Sequence, residues 1–147
     1  MKLSTKVRYG SRAMLDLACH RGNDPVLLKD IAKRQEISVK YLDSILSSMK
    51  AVGLVKTLRG AKGGYILNSP PSKITLKQIT EALEGPLELV GCVNNKDYCH
   101  RVKSCVMHDI WHELGKAMEV VLKTTTLEDL AIRDKKKRRI SDSMYFI

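Results

Sequence analysis

Apolar residues recur at helical spacing from the first positions of the chain. Val7, Met14, Leu17 and Ala18 fall on one face of a helix predicted from about Thr5 to His20, with Ser4 as its N-cap. The turn-forming run Gly22-Asn23-Asp24-Pro25 ends it. A short helix is expected from Leu28 to Gln35, followed by the connector Glu36-Ile37. Ser38 then caps a helix from Val39 to Ala51, whose apolar stripe is Leu42, Ile45, Leu46, Met49 and Val52. Gly53 stands where a helix end favours left-handed geometry.

Beyond Gly53 the period shortens. Leu54–Arg59 and Tyr65–Leu67 read as strands, joined through Gly60-Ala61-Lys62-Gly63-Gly64 as a hairpin tip. A fourth helix starts at Thr75, carries Leu76, Ile79 and Leu83, and stops at Gly85-Pro86. The stretch from about Leu89 to Cys105 holds no sustained period. A long helix follows from about Met107 to Lys123, striped by Trp111, Leu114, Met118, Val121 and Leu122. A brief helical turn is expected at Leu127–Ile132, before the charge run Arg133–Arg139, read as a solvated tail. Short helix, turn, second helix and basic-tipped hairpin is the order of a winged helix-turn-helix. The fold class is therefore mainly α with a small β-hairpin wing, extended by a long C-terminal helix.

Composition sharpens that picture. A chain of 147 residues suits one domain with a real core, and one Trp and one Phe leave that core to Leu, Ile, Val and Met. A formal net charge of +10 favours a polyanionic partner. No apolar run approaches the roughly 20 residues of a membrane span. The first residues, Met1-Lys2-Leu3-Ser4-Thr5-Lys6-Val7-Arg8, lack the apolar core of an export signal, so the expected compartment is the cytoplasm. An enzyme is not expected: no carboxylate is spaced to orient a Cys/His nucleophile, and the glycine-rich stretch is a hairpin tip rather than a nucleotide loop.

A double-stranded DNA partner gives several residues a role. The helix after Ser38 suits the major groove, and its first turns would offer Ser38, Lys40, Tyr41 and Asp43 to base edges. Asp43 can accept from a cytosine amino group. Arg59, beside the hairpin glycines, suits a narrow minor groove, and Lys62 a phosphate. Lys2, Lys6, Arg8 and Arg12 form a basic patch able to hold the backbone.

The four cysteines divide unequally. Cys19 lies in an apolar helical run and reads as a small buried hydrophobe. Cys92, Cys99 and Cys105 share one polar stretch with His108 three residues on. Thiolates with an imidazole suit an iron–sulfur cluster, and the long gaps between them differ from the tight Cys-x2-Cys knuckles of zinc sites. Three Cys and one His also make a tetrahedral zinc set, and His100 and His112 stand nearby as other donors.

Several of these segments carry a resemblance. Met1–Gly10, Ala13–Leu17, Ile37–Leu42 and the wing Arg59–Tyr65 resemble the Rrf-type family of bacterial transcription regulators. Cys92, Cys99, Cys105 and His108, with Ile110-Trp111 following, are similar to its iron–sulfur cluster assembly regulators. The resemblance implies a homodimer held by the long helix around Trp111–Leu122. It implies a [2Fe-2S] cluster on Cys92, Cys99, Cys105 and His108, and DNA contacts from Ser38, Lys40, Asp43 and Arg59. Residues 1–88 would then be the DNA-binding domain, 89–106 the cluster loop, 107–125 the dimerisation helix and 126–147 a short turn and basic tail. The first cysteine gap is one residue longer than in the nearest relatives, which keeps [4Fe-4S] as the alternative nuclearity. Some relatives use an acidic residue near the N-terminus as fourth ligand; Arg8 stands there in this chain and cannot serve. Asp43 is one carbon shorter than the glutamate usual at that position.

Overall fold

The computed structural model describes residues 3–20, 22, 24–95 and 97–145. α1 (Thr5–Cys19) begins where the Ser4 side chain accepts the Val7 N–H at 3.1 Å, satisfying a donor that the first turn leaves unpaired. α2 (Leu28–Gln35) ends at Glu36, a non-glycine residue in the left-handed region (φ 55°) that turns the chain sharply into α3. α3 (Val39–Ala51) is capped by Ser38, whose side chain accepts from Tyr41 N–H at 3.3 Å. Strands β1 (Val55–Leu58) and β2 (Gly64–Leu67) pair antiparallel, with Val55 opposite Leu67 and Thr57 opposite Tyr65. Val26 adds a third short strand at β2, exchanging both backbone hydrogen bonds with Tyr65 (2.8 and 2.9 Å). Short-range patterning did not reveal this pairing, because its partners lie far apart in sequence.

α4 (Leu76–Glu84) starts in a capping box between Thr75 and Gln78. A short α5 (Gly91–Asn94) and a 3-10 turn (Val102–Ser104) punctuate the cysteine stretch before α6 (Val106–Thr124). α7 (Leu127–Met144) follows at once. It extends well past the brief turn expected at Leu127–Ile132, while the charge run it carries is largely exposed to solvent. Thr126 and Asp129 form a second capping box, and Leu127, fully buried, anchors the first turn. The long charged side chains beyond are good helix formers and continue it.

The core gathers Val7, Met14 and Leu17 of α1, Leu42, Ile45, Leu46 and Met49 of α3, and Ile79 and Leu83 of α4. α1 crosses this layer at Gly10. A Cβ there would strike Leu83 Cδ1 and stand 3.2 Å from Met49 Cε, so any larger residue requires these side chains to shift. Val52, placed on the buried stripe by periodicity, is exposed, because the helix unwinds into the turn at Gly53. Cys19 is exposed rather than buried; its Sγ lies 3.8 Å from Asp134 Oδ2 of α7. Partial burial and that carboxylate raise its thiol pKa, so Cys19 stays protonated. Among the described residues no helix is long and apolar enough to cross a membrane.

Candidate nucleic-acid interface and cysteine loop

α3 presents Ser38, Lys40 and Asp43 to solvent on its first turns, while Leu42, Ile45 and Leu46 hold the opposite face in the core. Tyr41 is half-buried, its ring edge-on to Tyr9 of α1 with centroids 6.2 Å apart. Arg59 and Lys62 are both exposed at the hairpin tip, which closes through Gly63 N–H donating to Gly60 O at 2.9 Å. The tip can be this tight because a Cβ on Gly63 would meet Leu58 O at 2.6 Å.

Two contacts that pattern-reading missed fix the wing to α3. The Tyr65 hydroxyl donates to Asp43 Oδ1 at 3.1 Å, and Lys50 Nζ donates to Thr57 Oγ1 at 3.0 Å. Burial, and then the hydrogen bond to Asp43, push the Tyr65 hydroxyl pKa up, so it remains a donor through neutral pH. A polar network fixes α2 to α1 in the same manner. Arg34 and Gln35 both donate to the buried Asp16, and Arg12 donates to the Gln35 side chain and carbonyl at 3.1 and 2.7 Å. Arg12 is thus engaged in positioning the helix-turn-helix, while Lys6 and Arg8 remain in the basic patch; Lys2 lies outside the described residues. Arg8 and Arg12 also flank the Tyr9 ring, 5.2 and 5.5 Å from its centroid.

The cysteine stretch folds back on itself. The Tyr98 ring covers Gly91, where a Cβ would approach within 2.6 Å, so the residues preceding Cys92 and Cys99 are in contact. Cys105 is the N-cap position of α6, and His108 sits one turn inside that helix with Nδ1 3.4 Å from Asp109 Oδ1. Its ring stacks over His112, centroids 6.3 Å apart. Cys92, Cys99 and Cys105 are all unbridged and half-exposed. Among the described residues, however, no three His, Cys, Asp or Glu side chains stand close enough together to hold a metal ion. The donor set suits a cluster or zinc in chemistry, and the loop would have to close to use it.

α6 carries one broad apolar stripe, covered on one side and exposed on the other. Trp111, Leu114, Met118 and Leu122 are half-buried, and Trp111 and Leu122 line a cavity shared with Lys77 and Glu81 of α4. Lys77 links the two helices through an ion pair to Glu119, which holds that carboxyl below its ordinary pKa. Met107, Ile110 and Val121 lie along the edge of this stripe and are exposed near the two ends of the helix, with Val106 and Val120 beside them. Val121 is on the stripe where periodicity put it but is exposed.

The fold and the basic reading face define a winged helix-turn-helix DNA-binding protein. Residues 3–133 match the family model Rrf2, described as iron-dependent transcriptional regulators, and the chain belongs to that family. It is 41% identical to the HTH-type transcriptional regulator CymR of Bacillus subtilis over 131 residues, 89% of this chain and 90% of that one. The solved structure of CymR, the global cysteine regulator of B. subtilis, superposes with a TM-score of 0.76 at 39% identity, covering 90% of this chain and 98% of CymR. The structure of T. potens IscR gives the same TM-score at 38% identity, covering 94% and 90%. The protein is a DNA-binding transcription regulator, and its relatives are regulators rather than enzymes.

Proposed function

We propose that the protein acts as a homodimer on pseudo-palindromic promoter DNA and that a [2Fe-2S] cluster in the 89–106 loop sets its affinity. The observation that carries the DNA reading is the rigid union of α3 and wing through Tyr65–Asp43 and Lys50–Thr57, with Lys40, Arg59 and Lys62 exposed around it. Ser38, Lys40, Tyr41 and Asp43 meet base edges in the major groove. Arg59 enters the minor groove and Lys62 holds a phosphate. The homodimer is supported by the exposed row Met107, Ile110 and Val121, whose spacing suits a second copy of the same helix. Two copies would place half-sites about one helical turn apart.

Cys92, Cys99, Cys105 and His108 are the residues that would hold the cluster; when bound, it joins them by iron ligation and supplies a redox-active group. The chain's own path from loop to reading face is continuous. Cys105 abuts α6, α6 is tied to α4 by Lys77–Glu119, and α4 packs on α3. A coupling of about 1–3 kcal/mol along it would change operator affinity roughly 5–150-fold.

A second reading is favoured by the likeness to CymR, named for cysteine regulation: the same three thiols respond without iron. A structural zinc on the same donors is a third. Anaerobic purification followed by visible absorption and iron, sulfide and zinc analysis separates them. Iron and acid-labile sulfide at two per chain support the proposal, four irons substitute a [4Fe-4S] cluster, zinc without sulfide makes the site structural, and absence of metal after reconstitution leaves the thiol reading.

A further inference from the structure

The two hydrogen bonds between wing and recognition helix spring from one cross-strand pair. Tyr65 and Thr57 stand opposite each other in the β1–β2 ladder, so their side chains share one face of the hairpin. Their partners, Asp43 and Lys50, are seven residues apart on α3, which places them on one helix face about 10 Å apart along its axis. The Tyr65 backbone is fixed from the other side as well, because its N–H and C=O both bond to Val26. Only side-chain rotation remains free to Tyr65, and its half-buried ring restricts that.

We propose that Tyr65 is a specificity-positioning residue, which orients the Asp43 carboxylate for one base edge by donating its hydroxyl to Oδ1. The inference rests on the reading that α3 lies in the major groove. An ionised carboxylate only accepts hydrogen bonds. With one lone pair of Oδ1 engaged by Tyr65, the carboxylate is held in one orientation and Oδ2 is its freer acceptor for a base. Cytosine N4 and adenine N6 offer amino donors in the major groove, adenine with its N7 acceptor alongside, whereas guanine offers only acceptors, N7 and O6, and thymine O4 is also an acceptor. An oriented Asp43 therefore favours a base with an amino group, cytosine or adenine, and rejects guanine at one position. Without the tyrosine hydroxyl the short side chain rotates among its staggered wells, and the preference falls. Lys50–Thr57 keeps the wing docked when Tyr65 changes, so wing placement and base selection are separable.

The test starts from a site selected by the wild-type protein from random duplex DNA. Wild type, Tyr65→Phe, Asp43→Ala and the double variant are titrated against every single base-pair replacement of that site, at several salt concentrations. Tyr65→Phe should keep its melting temperature within a few degrees and its salt dependence unchanged. It should lose roughly 5–10-fold of the preference at the same base pair where Asp43→Ala loses it, with the double variant no worse than Asp43→Ala. Equal weakening on all sequences would make Tyr65 merely structural. An unchanged profile in Tyr65→Phe, or in Asp43→Ala, would overturn the assignment. Failure of the wild type to select any sequence would instead remove the DNA-groove reading beneath it.

Discussion

Arg34 of α2 grips Asp16 of α1 with a two-pronged fork: Nε to Oδ1 at 2.9 Å and Nη2 to Oδ2 at 2.6 Å, with the carboxylate buried. Gln35 adds a third donor to Oδ1 at 3.0 Å. The fork sets the angle between α1 and the first helix of the helix-turn-helix, which makes it a geometric requirement of the reading face. Arg34→Ala leaves a buried carboxylate with fewer donors. About a third of the Arg34 side chain is exposed, so water compensates in part. We expect a loss of about 1–3 kcal/mol in chemical denaturation. An unchanged midpoint would mean the fork is incidental.

Gly10 lets α1 approach α3 and α4. Gly10→Ala gains helix propensity but drives a methyl group into Leu83. The net expectation is destabilisation of about 1–2 kcal/mol. Leu83→Val in the same chain removes the struck atom, so the double variant should be more stable than the sum of the two single losses. Simple additivity in thermal melts would contradict the packing account.

The α7 helix depends on its first turn. Asp129 accepts from the Thr126 hydroxyl and backbone N–H, and these bonds hold its carboxyl below the ordinary pKa. Because the folded pKa is lowered, its contribution is complete above the unfolded value of about 4 and is lost as pH falls through the folded one. Stability should thus be flat in this respect from neutral pH to about 5 and fall below 4. Thr126→Ala should cost about 1 kcal/mol at neutral pH and shrink the acid-dependent part of the loss. Circular dichroism melts across that range test both statements.

On DNA, the two wing cations should behave differently. Lys62→Ala should weaken all sequences alike and lower the salt slope by about 0.9. Arg59→Ala should in addition erase any preference for A·T pairs beneath the wing. Fluorescence anisotropy on paired duplexes distinguishes the two; identical changes would place both residues on phosphates.

Local signals made most of the reading module legible. Ser38, Thr75 and the stripe Leu42–Ile45–Leu46–Met49 act within a few residues of themselves, and the four helices predicted before Gly85 and the hairpin formed where such signals fell. Long-range polar partners were not legible. Nothing near Tyr65 announces that its hydroxyl meets Asp43, and nothing near Asp16 announces Arg34. The run Arg133–Arg139 is solvated, but its charge concealed that it is helical: Leu127, Leu130 and the Thr126–Asp129 box start a helix that continues through it. Cys19 misled in the opposite sense: its apolar neighbours suggested burial, but α7 leaves it at a groove edge beside Asp134. Residue types alone suggested Cys92, Cys99, Cys105 and His108 as a donor set, and no local period specifies how the stretch that carries them is arranged.

The measurement that bears most directly on the account is operator affinity with and without the cluster. Wild type, purified and reconstituted without air, and Cys92→Ala are titrated against one selected operator and one random duplex at fixed salt, with dimer mass checked for both. The account predicts that wild type carries visible absorbance, that both proteins are folded dimers, and that their operator affinities differ roughly 5–150-fold while random-duplex binding stays the same. Equal operator affinities, with the cluster present in one protein and absent from the other, would contradict it.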